Sequence, residues 1–185
     1  KTTNDLRIQE YNMLRLSSQI AAEDYIDIRF RMPSGEDYIV VSKKKVEIPQ
    51  IDGVDSATTI WLQLTEDEIL TMSNAIVENY MIEGSVLYTA KYVEPGTQEK
   101  ATPTYVPSEA VQNLLRNNDS NILNTAKLAL LTRYQGNSDV RNNINNTKNS
   151  IDPDDVATNI STGVKQEVST AQEQRQDYLD ALSGN

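Results

Sequence analysis

The sequence predicts an α+β fold: a small antiparallel β-sandwich or sheet with one packed helix, followed by a mostly α-helical C-terminal region. Three observations carry this. Residues 25–32, Tyr-Ile-Asp-Ile-Arg-Phe-Arg-Met, alternate apolar and charged side chains with period two, the pattern of a half-buried strand. Thr65-Glu66-Asp67-Glu68 matches a capping box and follows the apolar alternation Ile60, Leu62, Leu64, so a strand there gives way to a helix. Beyond residue 100 asparagine becomes frequent, as at Asn142-Asn143 and Asn145-Asn146, and the apolar residues fall at helical spacing.

In chain order, Asn4 to Glu23 places Leu6, Met13 or Leu14, and Ile20 at intervals near seven, which predicts an amphipathic helix over residues 1–24, or else an extended arm. Ile26, Ile28, Phe30 and Met32 form the inward face of the first strand of a domain spanning residues 25–95. Pro33 to Asp37 supplies turn chemistry, and Tyr38 to Ser42 returns as its hairpin partner. Lys43-Lys44-Lys45 reads as a solvated turn or a strand edge guarded by lysine. Thr58 to Leu64 is a further strand, and the helix from Glu66 covers the sheet, with its acidic first turn complementing the dipole. The end of that helix stays open between Val77 and Ile82; Ser85 to Val93 is the closing strand.

Residues 96–106 read as a linker with Pro103, and 107–136 as two short helices, the first opened by Pro107 and Ser108, the second capped by Ser120 with Leu123, Leu130, Leu131 and Tyr134 in its stripe. Residues 137–185 hold an asparagine-rich segment, read as a loop or a partner-supported helix, and a C-terminal oligomerisation helix. In that helix Val164, Val168, Ala171, Arg175, Tyr178 and Leu182 are spaced 4, 3, 4, 3, 4, a short heptad seam with one charged interruption. A helix this polar is marginal alone in water, so the seam predicts packing against a symmetry mate or another protein.

Composition narrows the chemistry. The chain of 185 residues has no histidine and no cysteine, which excludes thiol nucleophiles, Ser-His-Asp triads, thiolate or imidazole metal ligation and disulfides. Its net charge of -10 argues against nucleic-acid and anionic-membrane partners. No apolar run approaches the eighteen or so residues of a membrane span, and polar Lys1 to Asp5 lead into no signal-peptide core. Residues 1–100 carry ten basic and seventeen acidic residues, together with Trp61, Phe30 and most tyrosines. That half can build a core; the polar remainder is not expected to fold unaided.

Each candidate site has a simpler structural meaning. Asp152-Pro153-Asp154-Asp155 lacks the glycine and distant glutamate of a calcium loop and reads as a helix cap with proline in the first turn. Asp52-Gly53-Val54-Asp55 reads as a turn. Trp61 lies on the strand face opposite Ile60 and Leu62, so a core or interface role needs a second layer or a partner to cover it. The tripeptides at Asn118, Asn145 and Asn159 that match the glycosylation pattern are discounted as chance in an asparagine-rich chain. No catalytic, cofactor-binding or metal-ligating residue is assigned; the residues expected at an interface are Trp61, Val164, Val168, Ala171, Tyr178 and Leu182.

The order of features over residues 25–95 carries a resemblance. The charged alternating strand Ile26-Asp27-Ile28-Arg29-Phe30-Arg31, a glycine-containing turn and a second strand precede Ile60-Trp61-Leu62-Gln63-Leu64-Thr65-Glu66-Asp67-Glu68-Ile69-Leu70 and a closing strand Val86 to Val93. This resembles the small β-sandwich attachment module of tailed-bacteriophage upper-baseplate and fibre-anchor proteins. The stretch Ile69 to Glu83 is longer than the short helical turn that module has. The resemblance implies a non-enzymatic virion protein of the neck, baseplate or fibre-attachment kind, needing no cofactor. It would assemble with copies of itself, as a ring or trimer, and with other virion proteins. The alternative is a cell-surface or periplasmic module binding glycan or peptide near Trp61. A carboxylate- or metal-dependent hydrolase would need Asp152, Asp154 and Asp155 to converge with other oxygens.

Overall fold

The structure is a computed structural model that describes residues 5–117 and 124–184, without the side chains of residues 124–127. Among these residues it is an α+β fold of small antiparallel sheets and five helices. Strand β2 (Tyr25–Arg31) is central in a three-stranded sheet, flanked by β3 (Asp37–Lys45) and by β7 (Val86–Lys91). Its period-two face is buried as the alternation predicts: Ile26, Ile28 and Phe30 expose nothing, and Met32 almost nothing. The β2–β3 turn uses Gly35 at φ +94°, where a side chain would be strained, and Met32 and Glu36 close it with an N–H to carbonyl bond of 2.7 Å.

Near its far end the β2–β3 ladder shifts register, pairing Ile26 with Lys44 but Ile28 with Val41. Lys43 adopts φ +48° in this bulge. The Asp27 carboxylate accepts the Lys43 N–H at 2.9 Å and the Tyr92 hydroxyl at 2.7 Å, satisfying the donor that the ladder loses. The three lysines thus belong to β3: Lys44 pairs with Glu68 at 2.6 Å, and the Lys43 ammonium donates to the Gln98 carbonyl.

The helix expected over residues 1–24 is not formed in the described residues. Instead β1 (Arg7–Tyr11) pairs antiparallel with β6 (Ile60–Leu64), in register Gln9 to Leu62. Farther on, the Arg15 N–H donates to the Leu87 carbonyl at 2.9 Å. Tertiary pairing overrides the helical spacing because the same apolar residues reach the core from an extended arm: Leu14 is buried, and Met13 and Ile20 pack half-buried against the core. A two-residue ribbon, β4 (Gln50–Ile51) and β5 (Val54–Asp55), turns through Asp52 and Gly53, both at positive φ.

Helix α1 (Glu66–Met81) starts where the capping box places it, with the Glu68 carboxylate accepting the Thr65 N–H at 3.1 Å. It runs for 16 residues, not the short turn that the phage module has. Residues 96–106 are no free linker. The Thr104 and Tyr105 amides both donate to the Ile39 carbonyl at 2.9 Å, so the segment seals the outer edge of β3. Tyr105 is buried, with its ring edge-on to Phe30 at 5.9 Å.

Three helices follow: α2 (Glu109–Asn117), α3 (Asn124–Gly136) and α4 (Ser138–Asn149). Ser120 and Leu123, together with the Asn118 tripeptide, lie outside the described residues. The stretch read as a loop or a partner-supported helix is α4, and its support comes from within the chain. Leu115, Leu130, Tyr134, Val140 and Ile144 join one continuous core with Ile28, Leu62 and Met72.

Candidate functional site

Helix α5 (Pro153–Leu182) is 30 residues long and contains no buried residue. Asp152 caps it, accepting the Asp154 N–H at 2.8 Å, with Pro153 in the first turn. Asp154 and Asp155 stand exposed beside that cap, and among the described residues no group of three or more acidic side chains is placed to hold a metal ion. Nor is any helix among them long and apolar enough to cross a membrane.

The line of α5 that touches the body begins with the half-buried Val156 and Ile160 and is small or polar beyond them, at Gly163, Glu167, Thr170, Gln174 and Ala181. Gly163 lies flat against the Tyr80 ring, where a Cβ would come within 2.4 Å. The Tyr80 hydroxyl donates to the Glu167 carboxylate at 2.8 Å, and Asn12 Nδ2 donates to the Glu167 carbonyl at 2.9 Å. The Thr59 hydroxyl donates to Gln174 Oε1. Burial and the neighbouring Glu167 push the Tyr80 hydroxyl well above its ordinary pKa, so it stays a donor at every physiological pH. The docking is incompletely satisfied, because Asn12 Oδ1 and Gln174 Nε2 are buried without partners.

The heptad seam lies one residue farther round, about 100° from that line. Val164 is 42% exposed, Val168 48%, Tyr178 48% and Leu182 67%. The seam therefore lies on the flank of α5, beside the line that contacts the body, with Ala171 half-buried. Leu179, 41% exposed, widens it and was not marked by the heptad spacing.

Trp61 meets this seam from the other side. Its ring lies on the outer face of β6, as the alternation predicts, and its indole N–H donates to the Glu10 carboxylate across the β1–β6 pair at 3.0 Å. A groove of about 570 Å³ separates Trp61, Pro49 and Ile51 from Val168, Ala171 and Tyr178. Four of the six residues expected at an interface thus share one groove, and Val164 and Leu182 continue its α5 wall at either end. The layer that covers Trp61 in part is the chain's own α5.

On the opposite flank of α5 a cleft of about 710 Å³ is acidic on both walls, with Asp52 and Asp55 facing Glu173, Asp177 and Asp180. Like charges there oppose closure of the helix onto the β4–β5 ribbon. Polar docking on one line, repulsion on one flank and an apolar seam on the other make α5 a helix whose best apolar face is unspent. Compared with known proteins, the chain matches no family model, no curated protein and no solved structure.

Proposed function

We propose that the chain is a structural component of a tailed-phage virion, of the neck, baseplate or fibre-attachment kind, acting by multi-copy assembly. The observation that carries the assembly reading is the flank of α5, where Val164, Val168, Tyr178, Leu179 and Leu182 are each at least 40% exposed on a helix that buries nothing of its own. Exposed apolar side chains grouped on one helix face in this way are characteristic of an interaction surface. The virion assignment rests on the feature order of residues 25–95 and on a chain without histidine or cysteine, which leaves few nucleophiles or soft metal ligands for chemistry.

The native mass of the full chain, measured by light scattering across a concentration series, tests the assembly reading. A multi-copy mass that falls to the monomer in Val168→Asp is expected. A wild-type chain that stays monomeric at every concentration, with α5 protected from hydrogen exchange, sinks it. The virion reading predicts the chain among the proteins of purified particles, and its absence there counts against it.

A second reading, a cell-surface or periplasmic binding module, draws on the groove itself. Trp61 and Tyr178 offer aromatic faces to it. Glycan or peptide binding by a monomer, lost in Trp61→Ala, favours that reading over assembly.

A further inference from the structure

We propose that the C-terminal half of α5, residues 171–182, is a strap that closes over Trp61, and that the Thr59–Gln174 hydrogen bond is the latch holding it open. The inference concerns one chain and its own helix, so it does not need the assembly reading.

The two halves of α5 are held differently. The N-terminal half is anchored on the body, with Gly163 against the Tyr80 ring of α1 and Glu167 bonded by both Tyr80 and Asn12. Beyond that anchor, the bond from Thr59 to Gln174 is the last hydrogen bond between α5 and the body among the described residues. Residues 167–182 span about 22 Å of helix, so a tilt of about 10° at the anchor carries the far end about 4 Å sideways.

Three forces act on that end, and all point towards Trp61. On the ribbon side, Asp52 and Asp55 repel Glu173, Asp177 and Asp180, and among the described residues no cation lines the cleft between them. On the groove side, Arg175 faces Glu10, which spends one carboxylate oxygen on the Trp61 indole and has the other to offer. The groove itself is mostly apolar, and closing it takes faces of Trp61, Ile51, Val168 and Tyr178 out of water.

The latch opposes these forces, and it is a weak one. Gln174 Oε1 accepts the Thr59 hydroxyl, but Gln174 Nε2 is buried without a partner, so the docked amide is half satisfied. On release the amide regains water. The buried Thr59 hydroxyl keeps the Thr58 hydroxyl, 3.4 Å away, as a second partner. Closure withdraws Val168 and Tyr178 from the surface, so the latch sets how much of the apolar flank a neighbouring molecule can reach.

Trp61 is the only tryptophan, so its fluorescence reads the groove directly. Gln174→Ala removes the latch, and closure predicts emission at shorter wavelength and weaker quenching by acrylamide than in the wild type. An indole left unchanged or more exposed would show that Gln174 is an ordinary docking contact, and would overturn the inference. Thr59→Val removes the same bond from the body side and is expected to shift the indole the same way; a shift of opposite sign overturns the inference. Arg175→Glu in the Gln174→Ala chain sets like charges across the groove and is expected to reverse the shift, whereas a shift left unchanged or enlarged overturns the closure. Light scattering on the same samples keeps the assembly reading separate. A shift that appears only as chain concentration rises comes from a neighbouring chain, which supports assembly and overturns the strap.

Discussion

Arg141 on α4 grips Glu78 on α1 with both terminal nitrogens, Nη1 to Oε1 at 2.9 Å and Nη2 to Oε2 at 2.5 Å. Glu78 exposes nothing and Arg141 4%. Lys148 reaches the same carboxylate at 3.0 Å, and the Tyr105 hydroxyl donates to it as well. Arg141 also donates to the Val106 carbonyl at 3.1 Å. One buried carboxylate therefore ties together α1, α4 and the segment sealing β3, and the asparagine-rich helix is anchored by charge as well as by Val140 and Ile144.

Removing one partner leaves the other charge buried and uncompensated. Glu78→Ala is expected to destabilise the fold by about 3–5 kcal/mol, since two cations then lose their anion. Glu78→Met with Arg141→Met should cost much less, because it removes both the desolvated ions and their attraction. Urea unfolding of the two variants checks this; equal losses would show that the ion pair itself supplies the stability.

The same carboxylate predicts how stability responds to acid. Burial alone would raise the Glu78 pKa, but the Arg141 guanidinium, the Tyr105 hydroxyl and the Lys148 ammonium outweigh it and hold the pKa below its ordinary 4.5. A folded-state pKa below the unfolded one means stability that is complete above about pH 4.5 and is lost as the pH falls through the folded value. Asp67 acts with the opposite sign, since burial raises its pKa and protonation relieves it. Melting temperature measured from pH 7 to pH 3 should therefore fall more steeply at the acid end in the wild type than in Glu78→Gln, where that contribution is absent.

Gly163 and Tyr80 define how close α5 lies to α1. In an unconstrained helix, Gly163→Ala would stabilise by about 1 kcal/mol. Here the new methyl would run into the edge of the Tyr80 ring at Cδ1, so α5 must lift or the ring must swing, breaking the Tyr80–Glu167 bond. Gly163→Ala is expected to speed hydrogen exchange in residues 159–170, and to slow it when introduced into Tyr80→Ala. An effect of the same sign in both backgrounds would mean that the close approach does not control docking.

Periodicity made some of this legible and concealed the rest. The buried face of β2, the capping box at Thr65 and the Asp152 cap follow from neighbours within four residues, and the sequence shows them directly. Strand β1 was hidden because Leu6, Met13 and Ile20 suit a helix as well as an arm, and the choice is made by pairing with β6 some fifty residues away. The Glu78 cluster left a signal that was there to be read. Thr71, Ala75, Glu78 and Ile82 share one helical stripe, as do Arg141, Ile144 and Lys148, so opposite charges stand on two otherwise core-facing lines. The heptad spacing of α5 located an apolar face correctly. It could not tell that a neighbouring line, apolar at Val156 and Ile160 and polar from Gly163 to Gln174, would take the body and leave that face on its flank.

The division between body and α5 predicts the behaviour of a truncated chain. Because α5 contributes no buried residue and the core runs through Tyr11, Leu62, Tyr134 and Ile144, a chain ending at Ser150 should still unfold cooperatively. It loses the Asn12, Thr59 and Tyr80 bonds to α5, each worth about 0.5–1.5 kcal/mol. Trp61 is the only tryptophan and lines the groove beneath Val168 and Tyr178, so its emission reports whether α5 is seated. Removal of α5 wets the indole and should shift its emission to longer wavelength, with the far-ultraviolet signature of the sheet retained. Loss of the cooperative transition in that chain would show instead that α5 belongs to the folding unit, and that its apolar seam is the flank of a structural helix.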